Sequence, residues 1–138
     1  TGEREMALKH LNKTQAGDLV VYDRGYPAVW FYKYHRLKNV DFCMRIVQSS
    51  NVVKAFLESG KYSDVVDFPC IEKSLRRCRK DKISTESLRL RLVLVDLPSG
   101  ESEVLVLSLT DLKTYPTALF ADLYHQRWGV EEDYKVLK

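Results

Sequence analysis

Leu19-Val20-Val21-Tyr22 is apolar at every position, and Asp23-Arg24-Gly25-Tyr26-Pro27 follows it directly. A strand with one solvated face alternates apolar and polar residues, so a run with no polar member must be covered on both faces. The segment therefore predicts a central strand of an α/β sheet. Gly25 supplies the turn, and Pro27 suits a first helical position, where its missing N–H costs nothing. The aromatic and apolar residues 28–38 predict a helix, and 41–48 a second strand, completing a βαβ unit. Asp23 then stands at the carboxyl end of a buried strand, where open α/β sheets gather ligands.

The middle of the chain reads differently. Leu88, Arg89, Leu90, Arg91 and Leu92 alternate strictly, which predicts a strand with its polar residues facing out. Pro98-Ser99-Gly100 form a turn and 103–109 a returning strand, so the pair is a β-hairpin. With 62–69 as another strand, residues 47–110 form a β-rich segment between two α/β parts. Residues 72–84 hold Lys73, Arg76, Arg77, Arg79, Lys80 and Lys82 against Glu72 and Asp81. That pattern predicts a solvated loop, with a phosphate-contacting patch as the sharper alternative. At the start, Met6, Ala7, Leu8 and Leu11 predict a short helix over 3–13, broken near Gly17.

Composition excludes several classes. A chain of 138 residues, 45% hydrophobic and 30% charged, has room for one globular domain and lacks disordered or collagen-like bias. No apolar run reaches the roughly 18 residues of a membrane span, and no signal segment opens the chain. The net charge of +3 is too weak to argue for nucleic acid unaided. Cys43, Cys70 and Cys78 form no C-x-x-C pair, and their odd number fits a reducing cytoplasm better than a disulfide framework or a zinc site. With Met6 as its first methionine, the sequence is expected to be a piece of something longer.

After Pro116 the sequence predicts a helix to Lys138 with a buried stripe of Leu119, Leu123, Val130 and Leu137. Taking Tyr124 as zero, Arg127 lies near about −60°, Glu131 near −20°, Lys135 near +20° and Lys138 near −40°. All five share one face. Solvated i,i+4 pairs would explain it at about 0.2–0.5 kcal/mol each. A carboxylate set among cations also suits a metal-bound or phosphate-facing site, and Asp23 offers a partner acid. Two-metal phosphoryl chemistry draws carboxylates from separate elements onto Mg²⁺, a cation that prefers oxygen ligands.

Tyr124, Arg127, Glu131 and Lys138 form a Y-x-x-R-x-x-x-E-x-x-x-x-x-x-K pattern. It resembles the YREK signature of the bacterial cut-and-paste DDE transposases of the insertion-sequence-four family. Asp23-Arg24-Gly25-Tyr26-Pro27 looks like that family's second catalytic aspartate with its turn, and 107–138 like the approach to its third acid. The resemblance spans nearly the whole chain. It implies an α/β, partial ribonuclease-H-like core interrupted by a β-rich insertion: 1–46 as the first part of the core, 47–110 as the insertion, and 111–138 as the final core helix. Asp23 and Glu131 would be catalytic and ligate Mg²⁺, with Mn²⁺ as the alternative ion. Tyr124, Arg127, Lys135 and Lys138 would hold phosphates of double-stranded DNA at the transposon end, with target DNA as second substrate. The active complex would be a homodimer on paired ends, in the bacterial cytoplasm at the nucleoid.

The first acid of the triad is expected upstream of Thr1, so the piece alone is expected not to cut DNA. Asp18 reads as a strand-opening or turn residue. The family's base-holding tryptophan has no counterpart in 47–110, and Trp30 and Trp128 are expected to pack on the core. His10 and His35 are isolated, His125 lies off the motif face, and Ser108 lacks a nucleophile context. Two other readings stand beside the transposase: a non-catalytic DNA-binding or inhibitory derivative, and an unrelated α/β domain whose last helix merely pairs its charges.

Overall fold

The computed structural model describes residues 14–22, 28–96, 99–120 and 122, and the backbone of 134–137. The expected βαβ unit is present as β1 (Leu19–Tyr22), α1 (Val29–Leu37) and β2 (Asp41–Ile46). The two strands pair in parallel, from Leu19 opposite Asp41 to Tyr22 opposite Met44. α1 runs back along the sheet, so its first turn lies at the carboxyl end of β1 and its last at the strand's start. There, the Gly17 N–H donates to the Asn39 carbonyl at 2.9 Å.

The remaining elements are α2 (Asn51–Glu58), β3 (Ser63–Phe68), α3 (Glu72–Lys80), β4 (Leu88–Asp96), β5 (Ser102–Leu107) and β6 (Tyr134–Leu137). All six strands form one mixed sheet in the order β3-β4-β5-β2-β1-β6. Residues 47–110 thus supply strands that continue the βαβ sheet through the antiparallel β2–β5 pair. The predicted hairpin is β4–β5. The helix expected over 3–13 lies outside the described residues.

Alternation on β4 sorts its side chains between two covered faces. Leu88, Leu90 and Leu92 join Val20, Tyr22, Phe42, Met44 and the buried side of α1, α2 and α3 in the larger core. On the other face Val93 and Val95 pack with Val21, Cys43, Leu105, Leu107 and Phe120. The face expected to be solvated at Arg91 is therefore also covered.

Four local expectations are corrected. α2 was not anticipated; Ser50 caps it by accepting from the Val53 N–H at 3.3 Å, and Val53 and Phe56 are its buried pair. Residues 72–80, expected as a loop, form α3, because Ser74 and Cys78 one turn apart give a small buried stripe against α1. Near the end of the chain Leu119 is 47% exposed, whereas Phe120 is 1% exposed and takes the core position. The helix expected to reach Lys138 is replaced at 134–137 by β6, antiparallel to β1. Strand β1 presents backbone donors and acceptors along its outer edge that need partners. Tyr-Lys-Val-Leu has the aromatic and β-branched residues to supply them as a strand.

Two helix ends carry the same closure. At α1, the Asn39 N–H reaches Arg36 O (3.1 Å) and the Val40 N–H reaches His35 O (2.9 Å), with Asn39 left-handed at φ 56°. At α3, the Lys82 N–H reaches Arg79 O (3.3 Å) and the Ile83 N–H reaches Cys78 O (2.8 Å), with Lys82 at φ 58°. This paired bonding satisfies terminal carbonyls and usually has glycine at the left-handed position.

Candidate functional site

The carboxyl end of β1 is pinned from beneath. The Tyr22 hydroxyl lies 2.7 Å from His35 Nε2, and His35 Nδ1 lies 2.9 Å from the Phe31 carbonyl. A carbonyl only accepts, so Nδ1 carries the proton and Nε2 accepts from Tyr22. The ring is enclosed by Phe31, Phe42 and Tyr22, with centroids 4.7, 4.9 and 5.5 Å away. Burial lowers the His35 pKa to about 4, opposed by its bond to Phe31, so the imidazole is neutral. His35 is accordingly a core residue that fixes the tyrosine immediately before Asp23. At the opposite end of β1, Asp18 accepts from the Gln15 N–H at 2.8 Å, which is the turn role expected for it.

A second support was missed in the sequence. Arg91 is 0% exposed although its alternation assigned it to solvent. Its Nε donates to Ser63 Oγ at 2.7 Å, one terminal nitrogen donates to the Tyr115 carbonyl, and the other lies 3.4 Å from Thr117 Oγ1. The guanidinium sits 5.0 Å above the Phe120 ring. Desolvation lowers its pKa, while Asp111 opposes that shift. Arg91 thus ties β3 and β4 to 115–120, the stretch leading toward Tyr124 and Glu131. The usable signal was its place on a long strand whose alternate face also needed cover.

Ser108 serves the fold: its Oγ accepts from the Phe42 N–H at 2.9 Å and donates to Asp41 Oδ1 at 2.8 Å. Trp30 is buried, as expected. Trp128 and His125 lie outside the described residues, as do Asp23, Tyr124, Arg127, Glu131 and Lys138. Lys135 is in β6, its Cα paired with that of Val21, so it does not continue a helical face. The same register pairs Tyr22 with Tyr134. Backbone just before Asp23 and backbone just after the 123–133 stretch therefore meet at one end of the sheet. Among the described residues no group of three His, Cys, Asp or Glu converges into a metal site. None of their helices is long and apolar enough to cross a membrane.

Residues 1–138 match the profile of the family described as Transposase DDE domain. Searches of curated proteins and of solved structures returned no match.

Proposed function

The chain belongs to the transposase DDE-domain family, and from that membership we propose that it is core sequence of a bacterial cut-and-paste transposase of the insertion-sequence-four, YREK type. The family implies DNA-cleaving chemistry in general. The finer reading is strand cleavage at transposon ends followed by strand transfer into target DNA, on a ribonuclease-H-like core acting as a homodimer on paired ends.

The observation that carries this reading is the β1–β6 register. Tyr22, which precedes Asp23, pairs with Tyr134, three residues beyond Glu131. Two acids 108 positions apart in sequence thereby flank backbone segments that meet in the sheet. Both are carboxylates, the hard oxygen donors that Mg²⁺ or Mn²⁺ takes, so the donor set fits a divalent cation held by Asp23 and Glu131. When bound there, the cation would supply Lewis-acid stabilisation of negative charge on the attacking and departing oxygens.

The chain's own residues would orient the DNA. Arg127 offers a planar fork for two phosphate oxygens, Lys135 and Lys138 act as point charges, and Tyr124 contributes a hydroxyl donor. Restraint of β1 by Tyr22 and His35, and of 115–120 by Arg91, would limit drift of the two acids relative to the scissile phosphate. Loose placement by about 1 Å costs such chemistry on the order of 10²-fold.

The test is Mg²⁺-dependent nicking of a transposon-end duplex by a chain that includes the upstream acid implied by the resemblance. Asp23→Asn and Glu131→Gln should each abolish nicking while leaving DNA binding in place. Full nicking by Glu131→Gln would remove the assignment. The charge surplus on α3 favours one other reading, a DNA-binding derivative without catalysis. Binding with no nicking by the unsubstituted chain would select it.

A further inference from the structure

Residues 72–82 carry six basic and two acidic side chains, a surplus of four where the whole chain has a net charge of +3. The charge is divided by role. Arg77 is committed to the fold: its Nε is 3.0 Å from Asp81 Oδ2 and its guanidinium lies 4.5 Å over the Trp30 ring. Lys73, Arg76, Arg79, Lys80 and Lys82 are exposed, and none has an ion-pair partner among the described residues. At about 100° per residue Lys73, Arg76 and Lys80 fall within about 60° of one another, forming a single ridge on α3.

That ridge has a fixed position. Ser74 Oγ accepts from the Trp30 N–H at 3.3 Å, the Tyr34 hydroxyl bonds Asp81, and Lys33 Nζ donates to the Ser84 and Glu86 carbonyls, the latter at 2.7 Å. Partners advance together along both elements, so α3 lies alongside α1 in the same direction. The first turn of α1 is at the carboxyl end of β1, and the first turn of α3, with Lys73 and Arg76, is therefore at that end too. We infer that Lys73, Arg76 and Lys80 form a sequence-independent track for the phosphate backbone of duplex DNA, running from the β1 carboxyl end along α3.

The dimensions fit a polyanion better than a single anion. Seven residues of helix span about 10 Å, a length over which a duplex presents about six phosphate charges. Among the described residues no carboxylate forms an ion pair with these three cations, the nearby Asp81 being engaged by Arg77 and Tyr34, and the helix is held by Trp30, Ser74 and Asp81. The surface can therefore meet DNA without giving up a fold contact. The inference rests on the transposase reading and extends it to residues outside the YREK pattern.

The experiment is salt-dependent binding of the 138-residue chain to a fluorescent transposon-end duplex and to an unrelated duplex of equal length. The comparison includes Lys73→Gln/Arg76→Gln/Lys80→Gln and, as reference, Arg127→Gln/Lys138→Gln. Each lost phosphate contact should flatten the log–log salt slope by about 0.9, so the triple variant should lose about 2.7 from the slope on both duplexes. Its circular dichroism and melting temperature should match the unsubstituted chain. An unchanged slope in the triple variant, with weakened binding in the Arg127/Lys138 variant, overturns the track and leaves the transposase reading standing. Loss confined to the transposon-end duplex overturns its sequence independence. Absence of binding to either duplex at about 50 mM salt by the unsubstituted chain sinks both.

Discussion

The Tyr22 hydroxyl donates to His35 Nε2 across 2.7 Å of closed core, joining the last residue of β1 to the helix that follows it. The bond needs a neutral imidazole, and burial keeps it so by lowering the pKa to about 4.

A pH dependence with a definite sign results. The folded pKa lies below the ordinary 6.5, so the unfolded chain takes up the proton first as the pH falls. Stability from this residue is complete above about 6.5 and is lost progressively towards 4, by roughly 3 kcal/mol in all. Urea denaturation between about pH 7.5 and 4 should show that loss. In His35→Phe the component of the slope belonging to this window should disappear.

Arg91 should behave as a tie and not as a surface charge. Arg91→Met keeps bulk but leaves the Ser63 hydroxyl and the Tyr115 carbonyl without their donor. The expected cost is about 2–3 kcal/mol. Hydrogen exchange should accelerate first in 115–120, ahead of the β4–β5 pair. Arg91→Lys should recover part of the protection, because one charged donor remains.

The two left-handed helix ends make a stabilising prediction. Lysine at φ 58° and asparagine at φ 56° both sit where glycine has no Cβ penalty. Lys82→Gly should stabilise by roughly 0.5–1 kcal/mol after the extra chain entropy of glycine is deducted, and Asn39→Gly by less. Denaturant midpoints measured at constant m-value would report both. Destabilisation by Lys82→Gly would mean that its side chain matters more than its backbone.

The three thiols should resist modification in the native protein. Cys43, Cys70 and Cys78 are all buried, and burial raises the pKa of Cys43 and of Cys78, the latter helped by its hydrogen bond with Cys70. The thiolate is the reactive form. Ellman's reagent should therefore count three thiols in guanidinium and close to none over minutes in buffer. Rapid native labelling of any one would indicate local opening.

How much of this was legible in advance depends on which physical signal each segment carried. β1 and β2 were readable because an unbroken apolar run has few alternatives, and the β4–β5 hairpin because Pro98-Ser99-Gly100 marks the reversal. α3 was hidden by its own charge: Ser74 and Cys78 are too small and polar to register as an apolar stripe. Arg91 was misassigned because period-2 alternation says which residues share a face but not whether that face meets water. The stretch 116–138 was read as one helix from four apolar residues. Phe120 displaced Leu119 from the core, and the open edge of β1 recruited 134–137 as a strand. Of the candidate site, the sequence supplied the residues and the sheet register supplied a meeting of their flanks.

Because β6 covers the outer side of β1 with four residues and β2 covers the other, β1 has no free edge along Leu19–Tyr22. A strand added at that border of the sheet would therefore pair with the outer edge of Tyr134–Leu137, one strand removed from Leu19–Tyr22.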